Sequence, residues 1–226
     1  MLVLGLAGHA LAIERSDLDY RIRLLTAKFE AMQARPETAI PPDVLQNVRG
    51  VILMERTKAG LVFAFEGGGG VAMVKDDANA TGWSPVAFMG ASQLSLGFQA
   101  GAEEGFYAIL LMDDSSTHLL TSPNYEYGSE ARGTAGDASG GAGSAISPLR
   151  PHVLVYSDRS GLYGGADLTA GGIVPDDKAN FIYYGRAWTM SDILFDNKVE
   201  PSEPALALAK DLKAHATPAQ VSANVP

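Results

Sequence analysis

G-V-I-L-M-E-R-T-K-A-G-L-V-F-A-F-E-G-G-G-G-V-A-M-V-K, residues 50–75, is the stretch whose reading decides the fold class. Its texture is short apolar runs separated by glycine, the pattern of strands punctuated by turns. It predicts strands over 50–55, 60–66 and 70–75. The same texture continues, predicting strands over 86–91, 93–99 and 105–112, with turns at Asp76–Gly82 and Asp113–Ser116. Leu61-Val62-Phe63-Ala64-Phe65 and Phe106 to Met112 are continuous apolar runs, expected in central strands buried on both faces.

Gly67-Gly68-Gly69-Gly70 follows a strand, and Gly67, Gly69 and Ala72 fit the loose dinucleotide-binding pattern. That fingerprint needs a helix immediately afterwards, and an acidic residue about 20 positions on. Val71 to Val74 reads as another strand instead, and the acidic residue is missing. The run is therefore read as a glycine hairpin. No G-K-[ST] occurs, so there is no P-loop.

Working outward, residues 14–35 read as an amphipathic helix capped by Ser16, with Asp19 at the capping-box position. Leu18, Ile22, Leu25, Phe29 and Met32 form one stripe, expected to pack on the core rather than insert into a membrane interface. Pro36 ends the helix. Pro41-Pro42-Asp43 opens a short helix over Val44–Val48. Residues 128–148 are dominated by Gly, Ala and Ser, by composition a flexible linker. Strands follow at 152–157, 161–168 and 171–174. Asp176 to Tyr184 is a short helix or turn, and Ser191 to Phe195 begins another. Ser202 caps a helix over 203–215, and the last ten residues read as disordered. Strands outnumber helices, and their connections are too short for parallel crossovers. The class is α+β: a mostly antiparallel β-sheet or barrel-like core with N-terminal helices and short C-terminal helices.

The 226 residues carry a formal net charge of -9, which argues against nucleic acid as a partner. The absence of cysteine excludes disulfides, thiolate metal sites and cysteine nucleophiles. Met1 to Ala12 is apolar and ends in Ala10-Leu11-Ala12, an A-x-A pattern like a secretory cleavage site. Residues 1–12 are thus read as a signal-peptide remnant, 13–195 as the main domain, and 196–226 as a C-terminal helix and tail. On that reading the chain is periplasmic or secreted; without cleavage it is cytoplasmic.

Catalytic signals are weak. Gly136-Asp137-Ala138-Ser139-Gly140-Gly141 echoes a serine-protease nucleophile loop but is broken by Ala138. His9, His118, His152 and His215 are isolated from any triad-like setting. The pairs Asp76-Asp77, Asp113-Asp114 and Asp176-Asp177 read as turn formers. No catalytic residue, metal site or cofactor is assigned.

Seven blocks in order carry a family resemblance. Ile40-Pro41-Pro42-Asp43-Val44-Leu45-Gln46-Asn47-Val48-Arg49-Gly50-Val51 resembles the opening of SYLF domains, the Ysc84-type family. Lys58-Ala59-Gly60-Leu61 is similar to its K-A-G-F segment, and Gly70-Val71 begins the next strand. Gly82-Trp83-Ser84-Pro85-Val86-Ala87-Phe88 resembles the W-S-x-P-A-F signature. Gly97-Phe98-Gln99-Ala100-Gly101 is similar to G-x-Q-x-G. Tyr156 to Gly165 resembles Y-S-x-S-K-G-L-F-A-G, departing at Asp158, Arg159 and Ser160. Asp177-Lys178-Ala179-Asn180 with Tyr183-Tyr184-Gly185 resembles the D-x-x-N and Y-Y-G ending. These blocks span about residues 38–195.

The resemblance implies a non-enzymatic module that binds phospholipid or a membrane surface, of the bacterial single-domain type; some family members bind and bundle actin. The alternative it implies is a protein-interaction scaffold with a protein partner. It also implies that residues 128–148 are strand and tight loop inside the domain. The lipid-binding residues expected are Arg49, Arg56 and Lys58 near the first hairpin, Arg159 near the late motif, and Trp83 at an interface.

Overall fold

The computed structural model describes residues 13–60, 63–96, 101–121, 153–158, 161–162 and 173–217. The first helix, α1 (Arg15–Gln33), buries Leu18, Ile22, Leu25, Phe29 and Met32 as the stripe predicts. Each such side chain contributes about 1.5–3 kcal/mol on leaving water. The cap differs from the expectation. Glu14, two residues before Ser16, is the N-cap, and its backbone N–H donates to Asp17 Oδ2 at 2.8 Å. Ser16 lies inside the first turn. The helix closes at Ala34, ahead of Pro36, whose ring disfavours helical backbone in the residue before it. A short helix, α2 (Pro42–Asn47), begins on the expected proline.

Four long strands follow: β1 (Gly50–Gly60), β2 (Phe63–Val74), β3 (Ala87–Leu96) and β4 (Gly101–Leu111). They replace the six shorter strands expected over the same region. Glycine was the misleading signal. Gly67–Gly70 is no hairpin; it lies inside β2, paired on one side with Thr57–Met54 and on the other with Ser92–Met89. Close packing explains one of these glycines directly: a Cβ on Gly70 would stand 2.6 Å from Leu53 O and 2.8 Å from Met54 Cε.

Asp113–Ser116 is also more than a turn. Asp113 caps a short helix, α3 (Asp114–His118), accepting from Ser116 N at 2.8 Å, and a 3₁₀ turn follows over Leu119–Thr121. Then come β5 (Val153–Ser157), β6 (Gly161–Leu162) and β7 (Ile173–Pro175). The chain continues through α4 (Asp177–Tyr184), α5 (Met190–Leu194) and α6 (Glu203–His215). Ser202 caps α6, accepting from Ala205 N. Residues 1–12, 128–148 and the last nine lie outside the described residues, and with them the expectations about the signal, the small-residue segment and the tail.

The sheet order is β6-β5-β4-β1-β2-β3-β7, and every described pairing is antiparallel. Among the described residues no pairing joins β6 to β7, so the sheet is open rather than a closed barrel. The class is α+β as expected. Strand alternation sends Val51 and Leu53 to one face and Ile52 and Met54 to the other. The first face is covered by α1, α2, α4 and α6, the second by α5 and the 3₁₀ turn. Because both faces are covered, β4 reads as an unbroken apolar run, with Phe106, Ala108, Ile109, Leu110 and Leu111 all buried.

The motif residues meet in this architecture. Trp83 bridges to Lys75, and Ser84 N and Oγ pair with the backbone of Val74. Asn180 of α4 clamps Phe88, accepting from its N–H at 2.8 Å and donating to its carbonyl at 3.2 Å. Tyr184 Oη donates to Val86 O. The W-S-x-P-A-F and D-x-x-N segments thus hold each other, which is a structural task.

Candidate functional site

Antiparallel pairing brings the start of β1 beside the end of β2, with Gly50 opposite Val74. Lys75, just beyond, donates its backbone N–H to Arg49 O at 2.8 Å. Its ammonium reaches back to α2 and donates to Gln46 O at 2.6 Å. The 76–82 loop closes on itself through Asp76 N to Gly82 O and Gly82 N to Asn79 O, with Gly82 at φ 77°. That left-handed conformation suits glycine. The last turn of α6 completes a groove of about 330 Å³, whose lining includes Gln46, Lys75, Asp77, Trp83, Leu212 and Lys213.

The electrostatics of this groove are lopsided. Burial holds the Lys75 ammonium below the usual lysine range, the Arg49 charge beside it pushes the same way, and Asp77 opposes. Arg49 is more than half exposed, and its Nε stands 3.8 Å from Asp114 Oδ1. Lys213 is exposed. Three cations therefore gather at one end of an acidic protein.

Of the expected binding residues, Arg49 and Lys58 lie far apart, separated by nine positions along an extended strand, about 30 Å. Register sets Arg56 between Gly68 and Gly105, and Lys58 between Glu66 and Glu103. The side chains of Arg56 and Lys58, and the whole of Arg159, lie outside the described residues. Trp83 is only 4% exposed and belongs to the core of the helical face, so an interfacial position for its ring is corrected to a buried one; one edge lines the groove. Lys75 and Lys213 were missed. Lys75 reads in sequence as the polar end of a strand before Asp76-Asp77; only the pairing of β1 with β2 sets it against Arg49.

A second groove, about 350 Å³, lies between α1 and the glycine run of β2, lined by Asp17, Tyr20, Arg21, Leu24, Glu55, Gly68 and Gly69. Its charges are matched internally. Lys28 Nζ donates to Glu55 Oε1 at 2.7 Å, and Asp17 accepts from Glu14 N. Arg21 lies 3.7 Å from Asp176 Oδ2 and beneath the position a Cβ on Gly69 would take. Arg21 Nη1 is buried and makes no hydrogen bond of its own.

Other chemically capable groups serve packing. His118 stacks on Phe195 at 5.0 Å, and His215 meets Phe29 edge-on at 5.5 Å. Tyr183 Oη lies 2.7 Å from Asp19 Oδ1 and 2.6 Å from Ser202 Oγ. A phenol has one proton, so Asp19 accepts and the Ser202 hydroxyl donates. Burial pushes the phenol up to about 12. Among the described residues no group of three or more His, Asp or Glu could hold a metal ion, and no helix is long and apolar enough to cross a membrane.

Comparison with known proteins completes the picture. The family model described as Ysc84, Las17-binding protein actin regulator, matches residues 92–215, more than half of the chain. LAS seventeen-binding protein 3 of Saccharomyces cerevisiae is 27% identical over 186 residues, covering 80% of this chain and 39% of the relative. An SH3 domain-containing protein of Schizosaccharomyces pombe is 25% identical over 171 residues, covering 74% and 39%. The human SH3 domain-containing YSC84-like protein 1 is 24% identical over 183 residues, covering 74% and 49%. The chain thus spans half or less of the length of these relatives. No solved structure matches. The ordered motifs, the fold that joins them and the family match agree, and the chain belongs to the Ysc84 (SYLF) family.

Proposed function

We propose that this chain is a protein-interaction domain of the actin-regulatory kind, working by docking rather than by catalysis. The observation that carries the reading is the family match, whose description is an actin regulator, together with relatives named for Las17 binding and for SH3 domains. The packing roles of His118, His215 and Tyr183 support it, because each of these groups is engaged in holding the fold. The test is co-sedimentation of the full chain with actin filaments. Saturable pelleting supports the reading. A chain that stays in the supernatant at every filament concentration overturns it.

Phospholipid binding is a second reading, favoured by one observation: Arg49, Lys75 and Lys213 gather positive charge at one end of a chain of net charge -9. Binding to anionic vesicles that fades with salt supports this reading. Equal recovery with zwitterionic and anionic vesicles removes the basic cluster from it.

A further inference from the structure

We propose that the groove between α2, the 76–82 loop and the last turn of α6 is a docking site for an acidic peptide segment of a protein partner. The peptide sets a carboxylate between Lys75 and Lys213, and a small apolar side chain against Gly82, Ala216 and the edge of Trp83 that lines the groove. This deepens the protein-interaction reading and rests on it.

Charge complementarity names the occupant. Arg49, Lys75 and Lys213 meet around a concavity whose lining holds one carboxylate, Asp77. Across the whole chain acidic residues outnumber basic ones, 26 to 17. Lys75 is partly sunk and pressed by Arg49, an arrangement that an arriving anion relieves. Its ammonium has three donors, and one is used on Gln46 O, so the others remain to grip a carboxylate. The wall supplies the apolar half: Leu212 and Ala216 from α6, with Gly82 and Trp83 from the loop. A volume of about 330 Å³ is at the small end for a ligand pocket and suits a few side chains of an extended segment.

The concave form favours a peptide over a membrane. Two of the cations line a recess instead of a flat face, which an extended segment can enter and a bilayer surface cannot. Rigid elements build the rim. Lys75 is fixed by the Lys75–Trp83 bridge and by its backbone bond to Arg49, and Lys213 by α6.

The experiment is fluorescence anisotropy on the full chain with a labelled synthetic peptide of alternating glutamate and alanine, and with its lysine–alanine counterpart. The acidic peptide is expected to bind saturably and to weaken with salt, while the lysine peptide does not bind. Lys75→Gln combined with Lys213→Glu is expected to weaken the acidic peptide by roughly tenfold or more. Lys213→Glu alone, at an exposed position, gives a smaller loss in the same direction and guards against misfolding of the double variant. Equal binding of both peptides, no binding of the acidic one, or wild-type affinity in both variants overturns the proposal. So does binding of phosphatidylserine vesicles that these variants abolish while the peptide fails to bind. Filament pelleting of the wild-type chain separates the two levels: a chain that pellets with filaments but does not bind the acidic peptide sinks the groove and leaves the interaction reading standing.

Discussion

The two grooves of this domain have nearly the same volume, about 350 Å³ beside α1 and about 330 Å³ beside α6. Their charges differ. Beside α1 each charged group has an internal partner: Lys28 with Glu55, Arg21 with Asp176, Asp17 with the helix N-terminus. Beside α6 the Lys75 ammonium is pressed by Arg49 and offset by Asp77, while Arg49 itself has the exposed Asp114 3.8 Å away. Size therefore does not separate a structural seam from a binding site. Charge left over after folding does, because a group whose partner lies within the fold gains little from a ligand, and a group pressed by its own kind gains more.

Substitutions can break or sharpen that contrast. The largest effect is expected from Gly70→Val, beside the α1 groove. Its Cβ meets a backbone oxygen, which cannot move aside, and the cost is about 3 kcal/mol or more, read as a lower urea midpoint. Tyr183→Phe comes next. Tyr183 ties α1 to α6 through Asp19 and Ser202, and so joins the walls of the two grooves. Removing the hydroxyl leaves both partners wanting and costs about 1–3 kcal/mol.

Tyr183 also gives a pH signature. Its folded value, about 12, lies above the ordinary tyrosine value, so its contribution is complete below about pH 10 and is lost as pH rises toward 12. Arg15 and Asp19 face the same phenol and act in opposite directions. The alkaline fall in stability should be shallower in Tyr183→Phe, because that phenol no longer titrates, and part of the fall should persist because Tyr184, also raised by burial, remains. An unchanged alkaline limb would remove Tyr183 from the account.

Gly69→Ala is expected to change stability by less than about 1 kcal/mol, since its new methyl meets the end of the Arg21 side chain at 3.0 Å, and a guanidinium can swing where a carbonyl cannot. Peptide binding at the α6 groove should be untouched. Loss of peptide affinity in Gly69→Ala would mean the two grooves are coupled, and the contrast would fall. Smallest of all is Lys213→Gln, within about 0.5 kcal/mol of wild-type stability. It should nonetheless weaken the acidic peptide measurably.

Local signals were legible wherever a side chain's task is settled within a few neighbours. The stripe from Leu18 to Met32 shows in sequence because a helix repeats every few residues. The Ser202 cap shows because its hydroxyl serves an amide three residues on. The ordered motifs announced the family. Glycine misled, since a gap in an apolar run marks a turn in one setting and, in another, a strand pressed against a neighbouring strand. The Gly67–Gly70 run belongs to the second kind. The expected basic residues do not all meet for a related reason: Arg49 and Lys58 are close in the chain, but an extended strand sets them about 30 Å apart.

The sequence by itself determined an α+β domain of the Ysc84 family, with its first helix packed on the core and its last helix capped at Ser202. Those features depend on periodicity and short-range hydrogen bonds, which a linear pattern contains. Only the tertiary structure decided that Lys75 stands beside Arg49 and that the end of α6 closes a groove over them. Antiparallel pairing converts a separation of 26 positions into a single hydrogen bond, from Lys75 N to Arg49 O, and no local pattern encodes that distance.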